Sequence, residues 1–238
     1  MAIVVASPPV SQTSPAAAGS ADLPAACAAA CAAARLADAV GISAALFGAP
    51  LEAGEVEALR RPVRQGALAA ISAAGVPEAE IEAAIAALRG LGEGEAAVSA
   101  LNSAFCLLFL GAGGPRAAVP YESAYRGNGR LFQEPAAEMA ALLARWGLHP
   151  APDFPEAPDH LTIELALLEE TLRRAADGSD PAAAEAAAGL FARLRGWVPT
   201  FARACRANDP SGFYAAAAGL LDRLLHLDFA VSDGGASH

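Results

Sequence analysis

The stretch EAPDHLTIELALLEETLRR, residues 156–174, carries the pattern on which the fold turns. Leu161, Leu165, Leu168 and Leu172 recur at i, i+4, i+7 and i+11, which places them on one face of an α-helix. Glu169 with Arg173, and Glu170 with Arg174, stand four residues apart on the other side, where opposite charges support a helix. Asp159 falls where an N-cap belongs, since a carboxylate there accepts from free N–H groups and suits the positive helix end. That reading leaves His160 without a role. Asp159-His160 is therefore a cap alone, or a cap that also serves as an acid/base pair or as a docking surface for a cation.

Working outward, helical periodicity runs through most of the 238 residues, and no alternating strand pattern accompanies it. The expectation is an all-α, single-domain bundle of about eight to ten helices over residues 22–227. Helices are expected at 22–47, 52–74, Pro77 to Gly90, 95–110, Pro135 to Gly147 and, within the quoted stretch 156–174, after the cap at Asp159. Three more follow, from Asp180-Pro181 to Gly196, on to 207, and from Asp209-Pro210 to His226. Residues 1–21 lack the positively charged start of a secretory signal and are expected to be a disordered leader, with 228–238 a flexible tail. The uncharged run 96–115 nearly reaches membrane-span length, but Ser99, Asn102, Ser103 and its Gly/Pro end suit a buried core helix. A soluble protein without stable membrane insertion is expected.

Charge narrows the partners. The chain has 26 acidic and 16 basic residues, all of the latter arginine, for a net charge of -10. Nucleic acid and anionic membrane surfaces both require basic surface, so no nucleic-acid partner is expected. A cationic segment is the better match. Residues 151–177 hold Asp153, Glu156, Asp159, Glu164, Glu169, Glu170 and Asp177 against Arg173 and Arg174.

The other motifs are weaker. Cys27, Cys31, Cys106 and Cys205 lie in helical contexts and read as reduced, mostly buried thiols. Cys27 and Cys31 share a helix face but lack further ligands, so neither metal nor cofactor is expected. GAGGPR, 111–116, follows a helix and matches no phosphate loop. No G-x-S-x-G or H-E-x-x-H occurs, and Ser99, Ser103 and Ser123 carry no nucleophile motif. The irregular stretch 111–135 gathers Tyr121, Tyr125, Arg126, Arg130 and Phe132, as functional loops often do. Trp146 and Trp197, at helix ends, read as packing residues.

PYESAYRGNGRLFQEPAAEMAALLARWGL (120–148), followed by EAPDHLTIELALLEETL (156–172), resembles the TorD/DmsD/NarJ family of maturation chaperones for molybdenum-containing redox enzymes. The matching elements are Tyr121, Ser123 and Tyr125 after Leu108-Phe109, then Glu156, Pro158, Asp159 and His160. Trp197-Val198-Pro199 and Phe213-Tyr214 extend the likeness, which spans about Arg35 to Leu227. Gln133 departs from it, standing near a position where members often carry glycine. The resemblance implies a cytoplasmic chaperone, not an enzyme, active as monomer or homodimer. It would bind the twin-arginine leader or the body of a molybdoenzyme precursor, assist cofactor insertion and delay export until folding is complete. It also implies a peptide site of Glu156, Pro158, Asp159, His160, Tyr121, Ser123, Tyr125, Phe109 and Arg130. Acidic groups there would take guanidinium, the aromatic rings an apolar segment, and His160 would add a hydrogen bond or pH sensitivity. On this reading, replacing Asp159 and His160 together weakens client binding and leaves the fold intact. The alternatives are a small-molecule enzyme using Asp159 and His160 as acid and base, and a structural assembly subunit of a respiratory complex.

Overall fold

The computed structural model describes residues 3–5, 23–126, 129–131 and 133–227. Among them are ten α-helices: α1 (Leu23–Gly48), α2 (Ala53–Arg60), α3 (Ala69–Ala73), α4 (Glu78–Gly90), α5 (Gly94–Leu108), α6 (Glu134–Arg145), α7 (Leu161–Asp177), α8 (Ala183–Arg195), α9 (Val198–Asn208) and α10 (Phe213–Leu225). The expected all-α single domain is what forms. Of the leader, only Ile3–Val5 is described; this strand, β1, pairs antiparallel with β2 (Leu148–Pro150) in the linker after α6. The tail 228–238 lies outside the described residues, as do Phe132 and residues 127–128.

The expected helix over 52–74 is divided. Pro62 disfavours helical backbone at the residue before it, and Arg61 is extended at φ -66°, ψ 155°. α2 therefore ends at Arg60, and a short 3₁₀ turn at Val63–Gln65 leads to α3.

α7 is the central element. Its leucine stripe is fully buried, and Ile163, Leu167 and Thr171 are buried too, so more than one face is covered. α1 lies along one side and α8 along another. The approach of α1 is close: a Cβ at Gly41 would fall 2.8 Å from the Glu169 carboxylate. α7 ends at Gly178, whose φ of 69° is a left-handed conformation that glycine adopts without steric cost. Residues Ala26–Gly48 of α1 are apolar and long enough to cross a membrane by composition alone, yet half of the most apolar window is packed inside the protein. α5 also buries its apolar face, through Ala97, Leu101, Ala104, Phe105 and Leu108.

An aromatic cluster joins the ends of α1, α5, α9 and α10. Phe109 meets Phe105 at 5.1 Å, Tyr214 at 5.1 Å, Phe47 at 5.7 Å and Phe201 at 5.9 Å between ring centroids. Its exposure is 3%, so this residue of the expected peptide site belongs to the core. Phe109→Ala should lower the unfolding free energy by about 3–5 kcal/mol in urea denaturation, the usual cost of truncating a core phenylalanine. A change under about 0.5 kcal/mol, typical of surface positions, would show that Phe109 is not a core residue.

Candidate functional site

The two motif segments meet along a short antiparallel contact. Tyr121 and His160 form an isolated bridge, Glu122 N–H donates to Asp159 C=O at 3.0 Å, and Leu161 N–H donates to Pro120 C=O at 2.8 Å. Asp159, fully buried, accepts from both the Ser123 N–H (3.0 Å) and the Ser123 hydroxyl through Oδ2. Its carboxylate thus holds the 3₁₀ turn Glu122–Ala124 rather than the start of α7. The N-cap of α7 is His160, whose Nδ1 accepts from Thr162 N–H at 3.2 Å. The cap expected of Asp159 is one residue further on, because Asp159 C=O and side chain are both committed to the 120–124 segment.

His160 is enclosed as well. Tyr121 and Phe154 pack edge-on against its ring at 4.9 and 5.3 Å, and its exposure is 5%. Burial pushes its pKa down to about 4, so the imidazole is neutral near neutral pH. It therefore does not act as a switch in the physiological range. Asp159 and His160 also share no hydrogen bond, and with one ring nitrogen and one carboxylate oxygen already taken, the pair lacks the geometry of an acid/base couple.

The remaining expected residues divide between the brace, the core and the surface. Tyr121, half-buried, donates its hydroxyl to Glu156, and burial together with the neighbouring carboxylate raises its pKa. Pro158 is half-buried beside them. Tyr125 stacks on Trp197 at 5.6 Å and 18° as part of the aromatic core. Arg130 is exposed. The structure therefore brings together Tyr121, Ser123, Glu156, Pro158, Asp159 and His160, and packs the rings of Phe109 and Tyr125 against the aromatic core instead.

Behind it lies a buried ionic network. Glu122 and Glu164 are both fully buried. Arg193, from α8, donates to Glu122, to Glu138 at 2.7 Å and to the Pro135 carbonyl at 3.0 Å. Arg126 donates to Glu122 at 2.6 Å and to Glu138 at 3.3 Å. Glu164 accepts from the Trp197 indole at 3.3 Å and lies 4.0 Å from Arg193 Nε. Desolvation, reinforced by Glu122, raises the Glu164 pKa well above the usual carboxylate range, which favours its protonated form. Glu138 shifts the other way, held down by the hydrogen bond from Arg193.

Sequence patterning held a signal for two of these residues. Glu164 fits Leu161, Leu165 and Leu168 as the i+3 member of an i, i+3, i+4, i+7 stripe, and Arg193 does the same with Leu190, Leu194 and Trp197. Charge at a core position on two facing helices is the mark of a buried pair. Glu122 had no comparable mark. The acidic surplus of 151–177 is correspondingly reduced as a docking face: Asp159 and Glu164 are interior, while Glu169 and Glu170 pair with Arg173 and Arg174.

The cleft beside the brace runs between α1 and α7 and measures about 340 Å³. Its lining includes Gly41, Ala44, Ala45 and Ala49 of the α1 end and Ala166 of α7, with Phe154 contributing an aromatic wall. Glu55 and Glu169 add two carboxylates. Phe154 joins it to the motif segments through its contact with His160. Cys27 and Cys31 are exposed, contrary to the expected burial, whereas Cys205 is buried and its thiol pKa raised by desolvation. Among the described residues, no three His, Cys, Asp or Glu side chains are grouped as a metal site.

A family model described as nitrate reductase delta subunit matches residues 73–203, more than half of the chain, including both motif segments. The chain belongs to the nitrate reductase delta subunit family. The TorD/DmsD/NarJ resemblance seen in the motifs is thereby borne out. Chaperone protein TorD of Photobacterium profundum is 34% identical over 157 residues, which are 63% of this chain and 72% of that protein. Chaperone protein TorD of Escherichia coli O45:K1 is 37% identical over 133 residues, 54% of this chain and 62% of that one. The corresponding protein of Aeromonas salmonicida is 37% identical over 135 residues, 55% of this chain and 59% of that one. These relatives are named as chaperones, not enzymes, in agreement with the reading of this family member as non-enzymatic. The family match begins at residue 73, so α1, which supplies one wall of the apolar cleft, lies outside it.

The brace has two measurable consequences. Asp159→Asn should cost about 1.5–3 kcal/mol of unfolding free energy, because the Ser123 donors lose a charged acceptor; an unchanged urea midpoint would exclude the bracing role. His160 should make stability fall with acidity. Its folded pKa of about 4 lies below the unfolded 6.5, so its neutral form supports folding fully above pH 6.5. That support declines as pH falls towards 4, by roughly 3 kcal/mol in all. His160→Asn, which retains a capping side chain, should remove this portion of the pH dependence in denaturation curves.

Proposed function

We propose that this chain is a maturation chaperone which receives the leader of a redox-enzyme precursor in the cleft between α1 and α7. Membership of the nitrate reductase delta subunit family and the similarity to proteins named chaperone TorD support the general activity. The observation that carries the site is the combination found in the cleft: apolar walls, the carboxylates Glu55 and Glu169, and Phe154 as the link to the Tyr121–His160 brace.

A twin-arginine leader joins two guanidinium groups to an apolar segment. Small residues of α1 leave room for apolar side chains, which gain by leaving water. Glu169 already accepts from Arg173, and Glu55 from the Glu52 N–H, but each carboxylate has further lone pairs for an arginine fork. The motif residues serve this site in two ways. Asp159, Ser123 and His160 hold the 120–126 and 154–160 segments in place, and Glu156 adds a half-buried carboxylate next to Tyr121. Occupying the leader retains the precursor in the cytoplasm, allowing its molybdenum cofactor to be inserted before export. The protein performs this as a monomer or homodimer.

Ala45 is exposed and lines the cleft, so Ala45→Arg fills it and adds a repelling charge without opening the core. In calorimetric titration with a synthetic twin-arginine leader peptide, this variant should bind at least about tenfold more weakly than the parent, as should a peptide with both arginines changed to glutamine. Full affinity in the Ala45→Arg protein would place the leader elsewhere. No binding to the parent protein at any workable concentration would remove the leader from the proposal altogether.

A further inference from the structure

A second cleft, of about 310 Å³, lies between α6, α7 and α8 and has a different charge pattern. Leu142, Trp146, Leu167 and Leu190 form its apolar surface, and Arg145, Arg193 and Glu185 are its charged members. Trp146 is nearly buried, with the Arg174 guanidinium 5.3 Å from its ring centroid. Arg193 is largely neutralised by Glu122 and Glu138. Arg145 is different: it is exposed and has no ion pair or hydrogen bond among the described residues.

Gly189 supplies an independent observation. It stands in the middle of α8, where glycine lowers helix stability relative to alanine. A Cβ added there would meet nothing within 4 Å, so neither packing nor backbone conformation calls for glycine. Gly189 also lines the cleft, and a side chain added there would have open space around it.

We propose that this cleft is a binding site for a small apolar monocarboxylate. The apolar body would lie on Leu142, Leu167, Leu190 and the accessible part of Trp146, and the carboxylate would meet Arg145. Size and lining suit a small molecule held by apolar contact and oriented by one polar group. A guanidinium fork matches a carboxylate in two-point contact. The chain's net charge of -10 disfavours anions in general, so retention of one calls for a local cation with no carboxylate of its own. Glu185, at the same site, limits the ligand to a single negative charge.

Decanoate and 4-phenylbutyrate would be titrated into the full chain by calorimetry, with decylamine as the cationic control. At least one of the two anions should bind saturably, and decylamine should bind at least about tenfold more weakly. Arg145→Glu should weaken anion binding by at least about tenfold, and Glu185→Gln should tighten it. Gly189→Leu should abolish binding while raising or preserving the melting temperature, since leucine is the better helix former. Ala45→Arg, which fills the other cleft, should leave anion binding unchanged. Absence of binding by both anions, equal binding of decylamine, undiminished binding in a folded Gly189→Leu protein, or loss of binding in Ala45→Arg would each overturn the assignment.

Discussion

Asp159 is removed from water, and the protein donors its carboxyl group takes, both on Oδ2, organise the region around it, while Oδ1 has no hydrogen-bond partner among the described residues. Ser123 provides two donors on one turn, the Asp159 carbonyl accepts from the Glu122 N–H, and the Leu161 N–H donates to the Pro120 carbonyl. The polypeptide entering α7 is thereby tied to a segment more than thirty residues earlier in the chain. A buried carboxyl group deprived of its donors is costly, so loss of the Ser123 contacts would weaken the whole junction. Moving the cap of α7 to His160 follows from this commitment of Asp159. The tight setting of His160 between Tyr121 and Phe154 follows in turn.

A second interior constraint adjoins the first through the neighbouring residue Glu122. Arg193 connects α8 to the 122–124 turn and to α6, and it lies beside Glu164 of α7. Charges of this kind are rarely net stabilisers once desolvation is counted, but their removal one at a time is severe. Through Arg193 they tie α8 to α6 and to the 122–124 turn beside α7. These adjoining buried polar groups specify where the loop and helices meet, while the leucines and phenylalanines supply most of the apolar burial. The two clefts are lined in part by small residues: Gly41, Ala44 and Ala45 on α1, and Ala186 and Gly189 on α8.

Residues 156–174 show how far local pattern carries and where it stops. The leucine spacing and the i, i+4 ion pairs described α7 correctly, because they depend only on helical geometry. The role of Asp159 could not be obtained in that way: an aspartate before a helix has a local explanation that is good enough to conceal a distant partner. Phe109 and Tyr125 stood beside a motif and read as peptide-binding aromatics, yet ring contacts with α1, α9 and α10 place them in the core. Pairing between Ile3–Val5 and Leu148–Pro150 was equally invisible, since three-residue strands leave no usable alternation.

Sequence alone determined the all-α class, the positions of most helices, the acidic balance and the motif spacing that identifies the family. These properties are short-range or compositional, and a helix records its buried face in a repeat of 3.6 residues. Tertiary structure decided which carboxylates are interior, which histidine nitrogen caps α7 and where clefts remain. Those outcomes depend on side chains brought together across long stretches of chain: Ser123 with Asp159, Glu122 with Arg193, and Ala45 with Phe154. Burial and hydrogen-bond satisfaction belong to such encounters, and only the packed chain establishes them.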